Sequence, residues 1–265
     1  MIALTEELAA TSRARPEPWA RGISGPPLRE TIADQPAPGG IENPYWEIVR
    51  RLPTTPCWYG EGDAGDPNGH WVSDIPDEAR TRAYTAGLGR TDLCVRYSWA
   101  IPTPGDMTWL AGHLDGQAVV EIGAGSGYWA WQLAQVGVDV AAYDPVPPGL
   151  DNNFARHRLY HPVQPGDHEV AAEHPDRALM LCWPSYGAPF AKQALHHYCG
   201  DTVNYIGESE GGCCADDRFH RILRRDFERV GSSPTHVTYW GIHCDLSLWR
   251  RKAAGTQGDE DGASR

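Results

Sequence analysis

The chain has 265 residues, 41% of them hydrophobic and 22% charged, which is enough to bury one sizeable core and too little for several large domains. Its 23 basic and 35 acidic side chains give a formal net charge of −12, which argues against a phosphate-neutralising surface and hence against nucleic acid or an anionic membrane as partner. The 29 Gly and 22 Pro predict long loops or loose ends, and 11 Trp and 11 Tyr against 4 Phe predict half-wet surfaces and pocket walls.

Residues 1–40 are rich in proline, carry scattered charge and show no sustained periodicity, the composition of a flexible arm. Glu6, Glu7 and Glu17 interrupt any apolar run that could serve as a signal or transit segment, and no stretch approaches the roughly 18 apolar residues of a membrane span. A cytoplasmic protein is expected. The seven cysteines include no C-x-x-C pair, and adjacent Cys213 and Cys214 make a poor chelate and a poor disulfide, so reduced and mostly buried thiols are expected. Asn43-Pro44 marks a helix start leading into Y-W-E-I-V-R-R-L. After the loop G-E-G-D-A-G-D-P-N-G-H, a second helical stretch is predicted near D-E-A-R-T-R-A-Y-T-A-G-L-G. Residues 41–105 thus read as a helical cap crowded with aromatic rings.

From Asp106 the signals alternate between helix and strand, as a parallel α/β sheet requires. M-T-W-L-A-G-H-L reads as a helix, A-V-V-E-I-G-A as a buried strand, Y-W-A-W-Q-L-A-Q-V-G as a helix and V-D-V-A-A-Y-D as the next strand. A weak third strand around H-P-V-Q precedes the strand R-A-L-M-L-C-W, the helix A-K-Q-A-L-H-H-Y and the strand D-T-V-N-Y-I-G-E. In D-D-R-F-H-R-I-L-R-R-D-F-E-R-V, Phe219, Ile222, Leu223, Phe227 and Val230 fall on one face, which predicts a helix reaching Val230. H-V-T-Y-W-G-I-H-C and L-S-L-W-R-R-K follow as two closing strands, expected to pair antiparallel or to form one long bent strand. The domain is taken as 106–252, with a flexible tail at 253–265.

The segment with most to say is V-V-E-I-G-A-G-S-G-Y-W. An apolar strand enters a glycine turn and leaves as a helix, so backbone can approach a ligand closely and offer amide donors. A dinucleotide fingerprint would put its third glycine at position 128, which is Tyr128; here it is Gly127, and Glu121 lies two places before Gly123. A carboxylate beneath the loop repels a pyrophosphate and attracts an ammonium. Asp144 ends the second strand, where a carboxylate can accept hydrogen bonds from a ribose diol.

E-I-G-A-G-S-G together with V-A-A-Y-D resembles the class I S-adenosylmethionine-dependent methyltransferases over roughly residues 106–252. The resemblance implies a Rossmann-like, doubly wound, mostly parallel seven-stranded sheet with helices on both faces and S-adenosylmethionine as cofactor. It further implies that Gly123, Ala124, Gly125 and Gly127 curve around the methionine part, that Glu121 faces its ammonium, and that Asp144 with Pro145 holds the ribose. Asp167 either faces the adenine amino group or is a turn residue. Trp129 either stacks at the helix start or belongs to the core.

L-C-W-P-S-Y, at the end of the fourth strand, is similar to the N/D-P-P-Y loop of amino-group methyltransferases. Trp183 and Ser185 replace two of its residues, so nitrogen as acceptor does not follow. Trp183 and Tyr186 are candidates to touch cofactor or substrate, and Glu208, Glu210 and Tyr186 are candidates to orient or deprotonate it. The pairs His196-His197, His243-Cys244 and Cys213-Cys214 lack the spacing of a zinc site, so no metal is expected.

Ahead of the sheet, R-Y-S-W-A-I-P-T-P places Tyr97 and Trp99 near its mouth, and Trp58 and Trp71 are candidates to wall the acceptor site; the competing reading makes these rings a satellite core. The reading is methyl transfer to a small molecule by in-line displacement, in a composition typical of bacterial secondary metabolism. Two alternatives stand beside it: a scaffold or partner subunit that binds S-adenosylmethionine without catalysis, and a nicotinamide oxidoreductase. The composition leaves oligomeric state open.

Overall fold

A computed structural model describes residues 40–51, 54–56, 70–72, 86–146, 152, 158–239 and 242–253. The elements in chain order are α1 (Pro44–Val49), β1 (Thr54–Pro56), β2 (His70–Val72), α2 (Arg90–Arg96), α3 (Pro104–Leu114), β3 (Val119–Ile122) and α4 (Tyr128–Gln135). They continue with β4 (Val140–Asp144), β5 (Val163–Pro165), a 3-10 helix (His168–Glu173), β6 (Ala178–Cys182), α5 (Phe190–His197) and β7 (Thr202–Gly207). The last are α6 (Asp217–Asp226), β8 (Phe227–Ser232), β9 (Val237–Tyr239) and β10 (Asp245–Arg251).

The main sheet has seven strands in the order β5-β4-β3-β6-β7-β10-β8. From β5 to β7 the pairings are parallel, and β10 runs antiparallel to both β7 and β8. This is the expected Rossmann-like, doubly wound, mostly parallel sheet. The chain winds outward from β3 through β4 to β5, then restarts at β6 on the other side of β3. Such a reversal leaves a crevice beyond the carboxyl ends of β3 and β6, where α/β sheets bind ligands. Strands β3 and β7 are buried at every position and β6 at all but its last, which is why they read as unbroken apolar runs.

Helices cover both faces. Met107, Leu110 and Leu114 of α3 pack with Trp129, Ala130 and Leu133 of α4 against one side. On the other, Ala191, Ala194 and Leu195 of α5 pack with Phe219 and Leu223 of α6. Asn204 of β7 is an exception in this interior: it is wholly buried, and neither its amide nitrogen nor its oxygen has a partner.

The capping residues fasten the layers as well as start the helices. Asn43 caps α1 by accepting from the Trp46 amide at 2.9 Å, and its own amide donates to Pro102 O at 2.7 Å. Tyr128 of α4 donates to Asn43 Oδ1 at 2.8 Å and accepts from the Tyr45 amide at 3.0 Å, so α1 is pinned to the sheet domain. Thr103 and Asp106 form a capping box at the start of α3. The fully buried Asp106 carboxylate also accepts from Ser233 Oγ at 2.6 Å and pairs with His236 Nδ1 at 3.0 Å, which ties α3 to the segment between β8 and β9.

The structure corrects two expectations. The helix predicted to reach Val230 stops at Asp226, and Phe227–Ser232 becomes the edge strand β8. Spacing alone puts Phe227 and Val230 on the helix face, but pairing with β10 gives this backbone a ladder, burying Phe227 and leaving Val230 51% exposed. The two closing strands neither pair with each other nor form one bent strand. Strand β9 instead joins a three-stranded sheet, parallel to β2, with β1 on the far side, while β10 inserts between β7 and β8. The cap is therefore not helical alone. The helical stretch predicted around residues 77–89 lies largely outside the described residues; α2 follows it.

Asp106→Ala is expected to cost about 3 kcal/mol or more, because it leaves the Thr103 amide, Ser233 and His236 without their common acceptor; a urea unfolding midpoint measures it. The opposite sign is expected for Asn204→Leu, which removes two unpartnered polar atoms: the same assay should show a gain of about 1–3 kcal/mol.

Candidate functional site

Between β3 and α4 the backbone takes left-handed values at Gly123 (φ 78°), Gly125 (φ 54°) and Gly127 (φ 69°). The turn folds back onto β4: the amides of Gly123 and Ala124 both donate to Tyr143 O, at 2.8 and 2.9 Å. The Gly125 amide donates to Asp144 Oδ2 at 2.8 Å, and the Gly127 amide to Ala124 O at 2.8 Å. The expectation that this loop offers amide donors to a ligand is thereby corrected for these four residues, whose N–H groups are consumed inside the protein. A side chain at Gly123 would meet the Phe190 ring at 3.1 Å, and one at Gly127 would meet Val163 and His161 at 2.9 and 3.0 Å.

This turn borders a cavity of about 570 Å³ at the crevice the strand order creates. From β3 and its turn come Glu121, Ile122 and Gly123 to Ser126; from β4, Asp144, Pro145 and Val146; from the β6 end, Cys182 and the turn Trp183 to Tyr186. Tyr97 to Trp99, Asn152, Ala188 and Phe190 complete the walls. Among the described residues no lysine or arginine lines it, whereas Glu121 and Asp144 both do.

Asp144 receives the Gly125 amide on one oxygen and the Val146 amide, at 2.8 Å, on the other. Burial raises its pKa and neighbouring Asp167 adds to that, against the pull of the two amides. Glu121 is 1% exposed and accepts from the Ala130 amide in the first turn of α4 at 3.1 Å. Burial pushes its carboxyl from 4.5 up to about 8, with Asp144 adding to the rise and the Ala130 amide opposing it. Burial also raises the Cys182 thiol well above its ordinary range, which removes it as a nucleophile.

Trp183 has φ 50°, a left-handed conformation that is strained for so large a residue. Its amide donates to Ile206 O at 2.7 Å, fixing the turn that aims the W-P-S-Y residues at the cavity. Tyr186 stands at the rim, 74% exposed.

Tyr97, Trp99, Glu121, Gly123, Ala124, Gly125, Asp144, Pro145, Trp183 and Tyr186 are therefore brought together around one cavity. The ring of Tyr97 stacks on Tyr45 at 5.0 Å within the aromatic core that joins the cap to the sheet. Gly127 and Trp129 do not line the cavity. Gly127 seats the loop on β5, and Trp129 is buried in the core with Nε1 donating to Ala100 O at 3.2 Å. Asp167 caps the 3-10 helix and pairs with His168 at 2.7 Å. It lies beside Glu169 in an exposed group of potential ligand atoms that belong to consecutive residues.

Neither loop acid reaches the cavity. Glu208 accepts from the amides of Cys213 and His243, and so braces the loops after β7 and before β10. Glu210 pairs with Arg224 on the surface. Trp58 lies outside the described residues. Trp71 is placed only by backbone, on β2 between Thr55 and Thr238. Sequence reasoning missed Ser98, Ser126, Asn152 and Phe190; Ser98 and Ser126 stood inside R-Y-S-W and G-A-G-S-G, Phe190 opens the helix after W-P-S-Y, and Asn152 carried no signal.

No family model matches the sequence, and no curated protein matches it. Among solved structures, the chain is similar to a candidate RNA methyltransferase of Pyrococcus horikoshii at 18% identity, covering 58% of this chain and 85% of that one, with TM-score 0.37. Burkholderia thailandensis 1,6-didemethyltoxoflavin-N1-methyltransferase with bound 1,6-didemethyltoxoflavin and S-adenosylhomocysteine matches at 17% identity, 66% and 83% coverage and TM-score 0.38. Synechocystis magnesium protoporphyrin IX methyltransferase with bound S-adenosylmethionine matches at 10% identity, 87% and 100% coverage and TM-score 0.39.

Between pH 4.5 and about 8 the unfolded chain has released the Glu121 proton while the folded chain keeps it, so this group's contribution to stability is lost as pH rises through that window. Glu121→Gln should remove the loss: relative to the parent, the variant gains on the order of a few kcal/mol from pH 5 to pH 8. Thermal melts across that range would show the two curves crossing or diverging; parallel curves would contradict it.

Proposed function

We propose that the cavity binds S-adenosylmethionine and that the protein transfers its methyl group to a small-molecule acceptor. The observation that carries this reading is the pairing of two buried acids with an absence of basic lining among the described residues. A dinucleotide pyrophosphate would meet the Asp144 carboxylate without a counter-charge and without the amides of Gly123, Ala124, Gly125 and Gly127, which are already engaged. A cationic sulfonium with an ammonium group and a ribose diol suits the same lining. Each Asp144 oxygen is held by one amide and keeps a lone pair for a hydroxyl. The volume is within the range of small-molecule sites.

Bound there, the cofactor supplies an electrophilic methyl group. The chain's part is to hold two reactants in line and exclude water, tasks for the walls formed by Trp99, Trp183, Tyr186 and Phe190. Because Glu208 and Glu210 are committed to other partners, Tyr186 at the rim is the remaining candidate to orient an acceptor. The net charge of −12 supports a small molecule over a nucleic acid as that acceptor. The same departure of the acids supports a second reading, a scaffold that binds the cofactor without turnover.

Calorimetry is expected to show S-adenosylhomocysteine binding and no NADH binding, with Asp144→Ala weakening the former at least tenfold, about the effect of losing hydrogen bonds to a carboxylate. Binding of NADH in place of S-adenosylhomocysteine would overturn the assignment. Mass spectrometry of acceptor mixtures after incubation with S-adenosylmethionine separates enzyme from scaffold.

A further inference from the structure

Arg90, the first residue of α2, sits where three aromatic rings from distant parts of the chain converge. Its guanidinium carbon is 5.7 Å from the Trp99 ring, 5.6 Å from Trp183 and 5.8 Å from Tyr239. Trp99 and Trp183 are themselves walls of the cavity, whereas Arg90 adjoins it through these rings and is not among its lining residues. Rings at this distance face a cation favourably, and a planar guanidinium can lie against them while keeping its donors in plane. Aromatic faces supply no acceptor for those donors. Arg90 is half-buried, its Nε is shut away from solvent without a partner, and among the described residues it has no ion pair.

Glu208 shares its surroundings, since both act electrostatically on Cys213 and Cys214. Each Glu208 oxygen accepts one backbone amide, from Cys213 and from His243, and among the described residues no ion pair joins it to Arg90. A guanidinium held in place by rings, with a buried donor left over, has the chemistry of a seat for a planar anion. Its position says which ligand. Asp144 and the glycine turn occupy the β3–β4 half of the crevice, whereas Arg90 leans on the turn after β6 and feels the loop after β7, the half where an acceptor would lie. The left-handed backbone of Trp183 is what turns this segment toward the cavity.

We propose that Arg90, framed by Trp99, Trp183 and Tyr239, binds an anionic group, a carboxylate or phosphate, on an aromatic or planar acceptor lying against the two tryptophans. This deepens the reading of the cavity as a methyl-transfer site and rests on it for the word acceptor. The anion site itself is testable without turnover.

The full chain, saturated with S-adenosylhomocysteine, is titrated by calorimetry with benzoate, phenyl phosphate and uncharged benzamide, alongside Arg90→Gln and Arg90→Lys. Both anions should bind the parent at least tenfold more tightly than benzamide does. Arg90→Gln should lose at least tenfold in anion affinity with no change toward benzamide, and Arg90→Lys, which keeps the charge and loses the fork, should fall between. If Arg90→Gln fails to fold, Arg90→Lys still decides the matter, because only an anion site makes it weaken benzoate selectively. Equal binding of benzoate and benzamide, no benzoate binding, or anion affinities unchanged in the variants would overturn the proposal. So would loss of S-adenosylhomocysteine binding in Arg90→Gln with benzoate binding intact, which would assign the guanidinium to the cofactor's own carboxylate. Failure of the parent to bind S-adenosylhomocysteine would instead remove the methyl-transfer reading, while titration of the unliganded chain would still report on Arg90.

Discussion

Where β3 ends, the chain has to reverse into α4 while staying against β4, and it does so through hydrogen bonds that leave little room for a side chain at Gly123 or Gly127. Gly123 and Ala124 share the Tyr143 carbonyl, Gly125 takes one oxygen of Asp144, and Gly127 closes onto Ala124. The same carboxylate that secures the turn faces the cavity, so the shape of the site and the hold between two strands are one set of bonds. Glu121 belongs to this unit from beneath: its carboxyl reaches the first turn of α4 through the Ala130 amide. Burying that acid beside Asp144 is unfavourable for an ionised pair, and the rise of its pKa to about 8 is how the interior accommodates it.

The second constraint comes from the other side of the crevice. Trp183 is forced into a left-handed conformation at the end of β6, and a large ring is thereby turned toward the cavity and toward Arg90. Strain of this kind persists only where the surroundings enforce it. Here the Ile206 carbonyl holds the Trp183 amide, and the isolated bridge between Ser185 and Cys214 holds the turn after it. The crevice thus has a tight, acidic wall built of backbone and an aromatic wall built of side chains.

The N-terminal elements are bonded to this frame and are not merely laid over it. Tyr45, Tyr97, Tyr128 and Tyr160 form one ring-packed cluster across α1, the segment before α3, α4 and the approach to β5. The tyrosine excess in the composition finds part of its explanation here. These rings pack their faces and edges against each other, and the Tyr128 hydroxyl is still satisfied by Asn43 and the Tyr45 amide.

Much of the sheet could be read directly because β3, β6 and β7 are buried on both faces, and their unbroken apolar runs admit little else at that length. The start of α1 could be read because Asn43 caps its own helix, a local effect within a few residues, whereas the helix read from Met107 begins at Pro104, behind its Thr103 cap. The glycine turn and Asp144 were readable for the same reason: left-handed backbone and a strand-ending acid leave local marks. By contrast, Phe227 and Val230 continue a helical stripe, and only pairing with β10 makes them strand. Glu208 and Glu210 stand in sequence where substrate-facing acids would stand; only folding shows them spent on backbone amides and on Arg224. Arg90 carries no local sign at all, since its role depends on rings contributed by residues 99, 183 and 239. Sequence alone determined what nearest neighbours can enforce, namely periodicity, caps and turns. The tertiary structure decided which polar groups were already satisfied and which were left facing the cavity, because that depends on partners far away along the chain.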